Sequence, residues 1–175
     1  MQMIVVLHNI RSCYNVGAIL RTAEGFGVEK VILSGYTPRV HDKNSLPHLR
    51  TKLDQEIHKT ALGAEDMLDV YSCNDIISEV EKLRKDGWQV VGLENNITNA
   101  PLYKLGSAEF SQALTSKTIL VLGEEVGGID YSLYDIIDLF VEIPMKGKKE
   151  SFNVSVAAGI AMWGILSAKK ANVLY

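Results

Sequence analysis

Cysteine is scarce in this chain. Cys13 and Cys73 are the only two, they stand far apart, and they form no C-x-x-C pair. That excludes a disulfide framework and a cysteine-based zinc site, and leaves two reduced thiols expected in or near the core. The four histidines, His8, His41, His48 and His58, lack the spacing of metal ligands, so no metal is expected. No apolar run approaches the ~20 residues that span a bilayer, and no charged and apolar leader opens the sequence. The expected location is therefore the cytoplasm, with no membrane contact. A basic surplus is also missing, since the formal net charge is −3. A nucleic-acid-binding protein draws most of its affinity from Lys and Arg, so such a role would require the cations to be concentrated locally. Nucleotide-binding glycines are absent too: the place after the first apolar run holds HNIRSCYNVG instead of G-x-G-x-x-G, and G-x-x-x-x-G-K-[ST] does not occur. This argues against a nicotinamide or flavin enzyme and against a P-loop.

What is present suits one globular domain over residues 1–175, with 47% hydrophobic residues to build a core and no internal repeat. Short runs rich in Val, Ile and Leu predict strands over Met3 to Leu7, Lys30 to Leu33, Gln89 to Leu93, Thr118 to Leu122 and Leu139 to Ile143. Continuous apolar runs fit strands covered on both faces, as in a parallel sheet. Helical patterns fall between them at Asn15 to Phe26, Asp75 to Lys85, Tyr131 to Asp138 and Asn153 to Lys169. The alternation predicts an α/β fold, a mainly parallel sheet flanked by helices on both faces. Thr37 to Ala64 carries charge, histidine and Pro47 without a convincing strand, and reads as a mobile loop leading into a helix.

Three segments hold residues of chemical interest. In NIRSCYNVGAILRTAEGFGV (Asn9 to Val28), Asn15 directly precedes the helical pattern, where an N-cap role is open to it. Arg21 follows Gly17 and Ala18 in a helix whose other positions look buried, and it either faces solvent or stands beside a ligand. In LVLGEEVGGI (Leu120 to Ile129), Gly123 ends a strand and would let a ligand approach the backbone at the carboxyl edge of the sheet. Glu124 and Glu125 could instead sit at a helix N-terminus against its dipole. In EIPMKGKKESFNVSVAAGIAMW (Glu142 to Trp163), IPM offers backbone polar groups and apolar side chains to a ring, or simply ends a strand in a proline turn. Ser151 and Asn153 stand where the last helix begins. Ala157, Ala161, Gly164 and Ala168 form a small-residue stripe that permits close packing.

In this order, the three segments closely resemble the motifs of the SpoU (TrmH-like) methyltransferases, from the first strand to the last helix. The resemblance implies an α/β-knot, with a deep trefoil knot at the C-terminus as an exception to the rule against threading. It implies transfer of a methyl group from S-adenosylmethionine to a ribose 2′-hydroxyl of RNA, in a homodimer whose active site is built across two subunits. Asn15, Arg21, Glu125, Ser151 and Asn153 then fall at the catalytic centre, and Leu93, Gly123, Ile143, Met145, Ser151 and Phe152 at the cofactor. Val126 departs from the family's usual glycine, which Gly127 and Gly128 could absorb, and Phe152 replaces a common Leu.

A guanidinium keeps its proton in a protein, so Arg21 is expected to fix a phosphate and stabilise charge on the attacking oxygen. Two cation clusters are candidates for RNA contact, each otherwise a solvated loop. One holds Arg39, Lys43, His48, Arg50, Lys52 and Lys59, of which Arg39, Arg50 and Lys59 are the leading candidates. The other holds Lys146, Lys148 and Lys149. No N-terminal substrate-binding extension is expected, and a compact tRNA stem-loop is slightly favoured over rRNA. The alternatives are a non-catalytic RNA-binding relative of the same fold, and a base methyltransferase of the wider knotted superfamily. The SFNVS segment points to the ribose-modifying branch.

Overall fold

The structure is a computed structural model that describes residues 1–44 and 46–168. Seven parallel strands form one sheet in the order β3-β2-β1-β6-β4-β7-β5. They are β1 (Gln2–His8), β2 (Lys30–Ser34), β3 (Asp69–Ser72), β4 (Gln89–Leu93), β5 (Leu102–Lys104), β6 (Lys117–Leu122) and β7 (Leu139–Glu142). The helices are α1 (Cys13–Gly25), α2 (Pro47–Ala61), α3 (Ala64–Met67), α4 (Ile76–Lys85), α5 (Ala108–Ala113) and α6 (Val154–Ala168), with a 3-10 helix at Tyr131–Ile136.

The period-two geometry of a strand divides the central apolar runs between two cores. Met3, Val5 and Leu7 of β1, with Leu120 and Leu122 of β6, face a cluster built by α1, α2, α5 and α6. Ile4, Val6, Ile119 and Val121 face the opposite cluster, which holds Ile76 and Val80 of α4 and Leu133 and Ile136 of the 3-10 helix. Burial on both faces is why these strands carry no polar alternation.

The five predicted strands form within a residue or so at either end, and two edge strands were not foreseen. β3 and β5 each pair with one neighbour and are partly buried, so DVYS and LYK lack a continuous apolar signal. The stretch expected as a loop from Thr37 is helical for much of its length. α2 opens with Pro47 in its first turn, where the missing N–H costs nothing. It buries Ile57 and Ala61, with Leu53 packed on the same core, a narrow stripe that its many polar residues conceal. The pattern read as a helix to Asp138 is a 3-10 helix ending at Ile136. Asp138 instead accepts hydrogen bonds from Val90 N (2.8 Å) and Arg84 Nη2 (2.6 Å). Lys169, the predicted end of the last helix, lies outside the described residues.

The N-cap of α1 is Ser12, not Asn15. Its hydroxyl accepts from Asn15 N at 3.3 Å, which leaves the Asn15 side chain free for other partners. Among the described residues no helix is long and apolar enough to cross a membrane.

α1 packs on α2 through Gly17, where an added Cβ would strike the Thr60 hydroxyl and the Ile57 carbonyl oxygen. Gly25, at the end of the same helix, has open space around it. Gly17→Ala should therefore destabilise the protein by about 1–3 kcal/mol. Gly25→Ala should be neutral or stabilise by up to about 1 kcal/mol through helix propensity. Urea denaturation of both variants checks the contrast.

Candidate active site

The carboxyl ends of β1, β4, β6 and β7 open on one edge of the sheet, the usual ligand crevice of a parallel α/β fold. After β6 the chain does not enter a helix. Glu124 and Gly128 exchange backbone hydrogen bonds (2.8 and 2.9 Å) and close residues 124–128 into a small loop. Gly128 has φ +73°, and a Cβ there would collide with the Glu94 carboxylate. Glu94 in turn accepts from Ile129 N at 2.9 Å and holds the loop's far end. A Cβ on Gly123 would strike the backbone of Gly128. Glycine at 123 is thus required for loop closure, a packing demand that its position at a strand end did not reveal. The reading of Glu124 and Glu125 as acids at a helix N-terminus is also corrected, because the next helical turn begins only at Tyr131, capped by Asp130. Val126 stands fully exposed in the loop, so the departure from glycine there is accommodated without burial.

With the loop closed, the three segments singled out in the sequence meet. Asn15 Nδ2 donates to Glu125 Oε1 at 3.0 Å, and Asn153 Nδ2 donates to Asn15 Oδ1 at 3.2 Å. Asn153 Oδ1 accepts from Ser155 N (2.9 Å) and Ser155 Oγ (2.6 Å) and so caps α6. Arg11 donates its backbone N–H to Glu125 Oε2 at 3.4 Å and pairs its guanidinium with Glu124. Partial burial, the largest single influence on Glu125, works to raise its pKa. It is outweighed by hydrogen bonds from the Asn15 side chain and from the backbone N–H groups of Glu125, Arg11 and Ser12, so the carboxyl titrates below its ordinary range. Held this way, Glu125 is an ionised anchor and a weak proton acceptor.

Beside this network lies a cleft of about 240 Å³. Five of the predicted cofactor residues line it: Leu93, Gly123, Ile143, Ser151 and Phe152. Met145 does not, and lies with Pro144, Lys148 and Lys149 on an adjoining groove. Glu94 and Asn95 line the cleft without having been foreseen, and Asn95 Nδ2 donates to Glu150 O at 2.8 Å. Their one sequence signal is their place directly after the apolar run of β4. Arg21 is exposed on α1 and has no hydrogen bond or ion pair among the described residues; it does not line the cleft of its own chain.

Of the predicted RNA-contacting cations, Arg39 donates to Asn74 Oδ1 at 2.6 Å. Arg50 is half-buried in α2, and Lys59 lies over the Tyr14 ring at 5.7 Å. Lys146, Lys148 and Lys149 are exposed in the loop after β7. Both cysteines are free thiols, Cys13 buried and Cys73 half-buried. Among the described residues no three His, Cys, Asp or Glu side chains gather so as to hold a metal ion.

Because the folded-state pKa of Glu125 lies below its ordinary 4.5, the carboxylate contributes stability that is complete above that value. The contribution is lost as pH falls through the lowered pKa. Glu125→Gln should therefore be less stable than the parent protein near neutrality, and the two urea midpoints should converge on acidification. A gap that stays constant down to pH 3 would refute the assignment.

Residues 2–163 match the family model described as the SpoU rRNA Methylase family. The 23S rRNA (guanosine-2′-O-)-methyltransferase RlmB of Nitrosomonas europaea is 32% identical over 162 residues, 92% of this chain and 54% of that protein. The chain thus spans about half the length of the curated relatives it matches. Among solved structures, the A. aeolicus TrmH/SpoU tRNA modifying enzyme superposes with a TM-score of 0.75 at 21% identity, covering 98% of this chain and 77% of that one. The SpoU methyltransferase AviRb from Streptomyces viridochromogenes, in complex with the cofactor AdoMet, superposes with a TM-score of 0.74 at 20% identity, covering 99% and 58%. These structures share the fold. The family match takes in all three segments that meet at the cleft, and the chain belongs to the SpoU rRNA methylase family.

Proposed function

We propose that this protein transfers a methyl group from S-adenosylmethionine to a ribose 2′-hydroxyl of RNA, and that it does so as a homodimer. The observation that carries the reading is the hydrogen-bonded series Asn153–Asn15–Glu125, which joins the three family segments beside a cleft at the carboxyl edge of the sheet. Two relatives support it by what they are: RlmB is a guanosine-2′-O-methyltransferase of 23S rRNA, and AviRb binds AdoMet.

The cleft suits an adenosine. Leu93, Ile143, Phe152 and Val154 offer apolar surface, and the 123–128 loop offers backbone polar groups. When bound there, the cofactor supplies an electrophilic methyl group, and the chain's own residues do the rest. Asn15 and Asn153 hold the loop and the start of α6 in register. Glu125, ionised and already accepting hydrogen bonds, orients Asn15 and is a poor base. Arg21 would fix a phosphate of the substrate and stabilise charge developing on the attacking oxygen. No metal enters this reading.

The position of Arg21 supports a composite site. It lies outside its own cleft, on a helix packed against α6. α6 exposes Val156 (49%) and Trp163 (61%), seven residues apart on one face. A second copy seated on this apolar surface would bring Arg21 of the partner subunit towards the cleft. The same stripe logic supports the C-terminal trefoil knot, because Ala161 is fully buried and a Cβ on Gly164 would press on Leu105. Packing that close suits a threaded helix. For the substrate we place tRNA ahead of rRNA, since the exposed Lys146, Lys148 and Lys149 form a short footprint suited to a compact stem-loop.

Arg21→Ala should lower 2′-O-methylation by about two to three orders of magnitude while S-adenosylmethionine still binds. Gly123→Val should lose cofactor binding, because its side chain cannot coexist with the closed 124–128 loop. Calorimetry and nucleoside mass spectrometry of reacted RNA read the two effects separately, and equal loss of cofactor affinity in both variants would reject this division. Replacing Lys146, Lys148 and Lys149 together with Ala should weaken RNA binding and flatten its salt dependence. The slope of log affinity against log salt should fall by roughly 0.7 to 0.9 for each phosphate no longer neutralised. An unchanged slope would mean that RNA runs elsewhere, with Arg39 to Lys59 the next surface to test.

A further inference from the structure

Arg11 carries none of the roles assigned so far, yet it touches both acids of the 124–128 loop. It stands between β1 and α1, directly before the N-cap Ser12. Its backbone N–H donates to Glu125, and its guanidinium pairs with Glu124. The two side chains differ in freedom: that of Arg11 is 66% exposed and that of Glu124 only 23%. Glu124 lines the cleft, and its second carboxylate oxygen packs 2.8 Å from where a Cβ on Gly127 would lie. The acid is therefore the more enclosed partner, while the arginine reaches it through a long side chain that stays largely in water. An ion pair this exposed adds little to the stability of the fold, so stability does not account for its place at the cleft.

We propose that Glu124 occupies, in the RNA-free protein, the place of an RNA phosphodiester on Arg11, and that substrate binding transfers the guanidinium from carboxylate to phosphate. This rests on the proposed RNA substrate and adds to it a contact and a competing group. The 2′-hydroxyl and the 3′-phosphate sit on adjacent carbons of one ribose. A ribose seated beside Asn15 and Glu125 therefore carries a phosphodiester into the immediate neighbourhood of Arg11. A phosphodiester carries the same single negative charge as the carboxylate, and its two free oxygens match the planar donor fork of arginine. In a chain of net charge −3, the carboxylates that line the cleft, Glu94, Glu124, Glu125 and Glu150, would repel an incoming RNA. Pairing Glu124 with Arg11 masks one of them and keeps the cation in position until a phosphate displaces the acid. Glu124 thereby restrains RNA affinity, and Arg11 is an RNA-binding residue that acts beside the reaction and takes no part in it.

A double-mutant cycle on the full chain tests the exchange, with unfractionated tRNA as probe, filter binding across a salt series, and S-adenosylmethionine titrated by calorimetry. Phosphate contact is independent of base sequence, so tRNA reports on Arg11 even if the cell's substrate is ribosomal. Arg11→Ala should weaken tRNA binding about tenfold, the size of one charge-assisted hydrogen bond. It should lower the salt slope by roughly 0.7 to 0.9 and leave cofactor affinity unchanged. Glu124→Gln should tighten tRNA binding, and by a larger factor in the parent protein than in the Arg11→Ala background. Equal gains in both backgrounds would reduce Glu124 to general repulsion and overturn the exchange. Retention of the parent affinity and slope by Arg11→Ala would overturn it too, as would loss of cofactor affinity in that variant, which would make Arg11 a structural support. In each of these cases a parent protein that binds tRNA leaves the proposed function standing. A parent protein that binds neither tRNA nor rRNA removes both.

Discussion

Asn15 makes the contact on which the rest of the site depends. Its amide has two ends, a donor and an acceptor, and the structure uses both: Nδ2 to Glu125 and Oδ1 from Asn153. Its partners lie 110 and 138 residues away in sequence, so one side chain joins the start of the chain to its second and third family segments. The geometry is available only because β1 and β6 are neighbours in a parallel sheet. Parallel pairing sends the end of β1 and the end of β6 to the same edge, where α1 and the 124–128 loop begin. The Ser12 cap completes the arrangement by taking over the helix-terminating role and leaving Asn15 free for this one.

Charge at the cleft follows from the same network. Glu125 accepts hydrogen bonds from a side-chain amide and from backbone N–H groups, and these hold it ionised against the cost of partial burial. An acid stabilised in its charged form positions its neighbours and does not take up protons near neutrality. Arg11 compensates the adjacent Glu124, while Arg21 and the lysines after β7 remain exposed. A protein with more acids than bases can present cations at one edge only if those cations are left out of ion pairs, and the described pairs of Glu79, Asp138 and Glu65 draw on other side chains. Glu79, Asp138 and Glu65 are each engaged by Lys82, Arg84 and His58 respectively.

Five strands and the segments that hold α1 and α6 are legible in the sequence, because burial on both faces of a parallel sheet produces short unbroken runs of Val, Ile and Leu and the helical patterns fall between them. The same logic hid β3 and β5, which are edge strands with one partner each, and α2, whose buried stripe is narrow. The family segments likewise mark Asn15, Arg21, Glu125, Ser151 and Asn153 as residues of interest.

What the sequence determined by itself was therefore the class of fold, the succession of elements and the residue types of the site, since each depends on local periodicity or on short motifs. What only the tertiary structure decided was how those residues are used. It moved the helix cap from Asn15 to Ser12, added loop closure to the demands on Gly123, and set Met145 apart from the cleft. It also brought in Arg11, and Glu94 and Asn95, which the sequence marks only by their place after the apolar run of β4. These are consequences of close approach between segments far apart in the chain: hydrogen bonds of about 3 Å and the space a single Cβ would fill are fixed by packing, and periodicity along a sequence carries no measure of either.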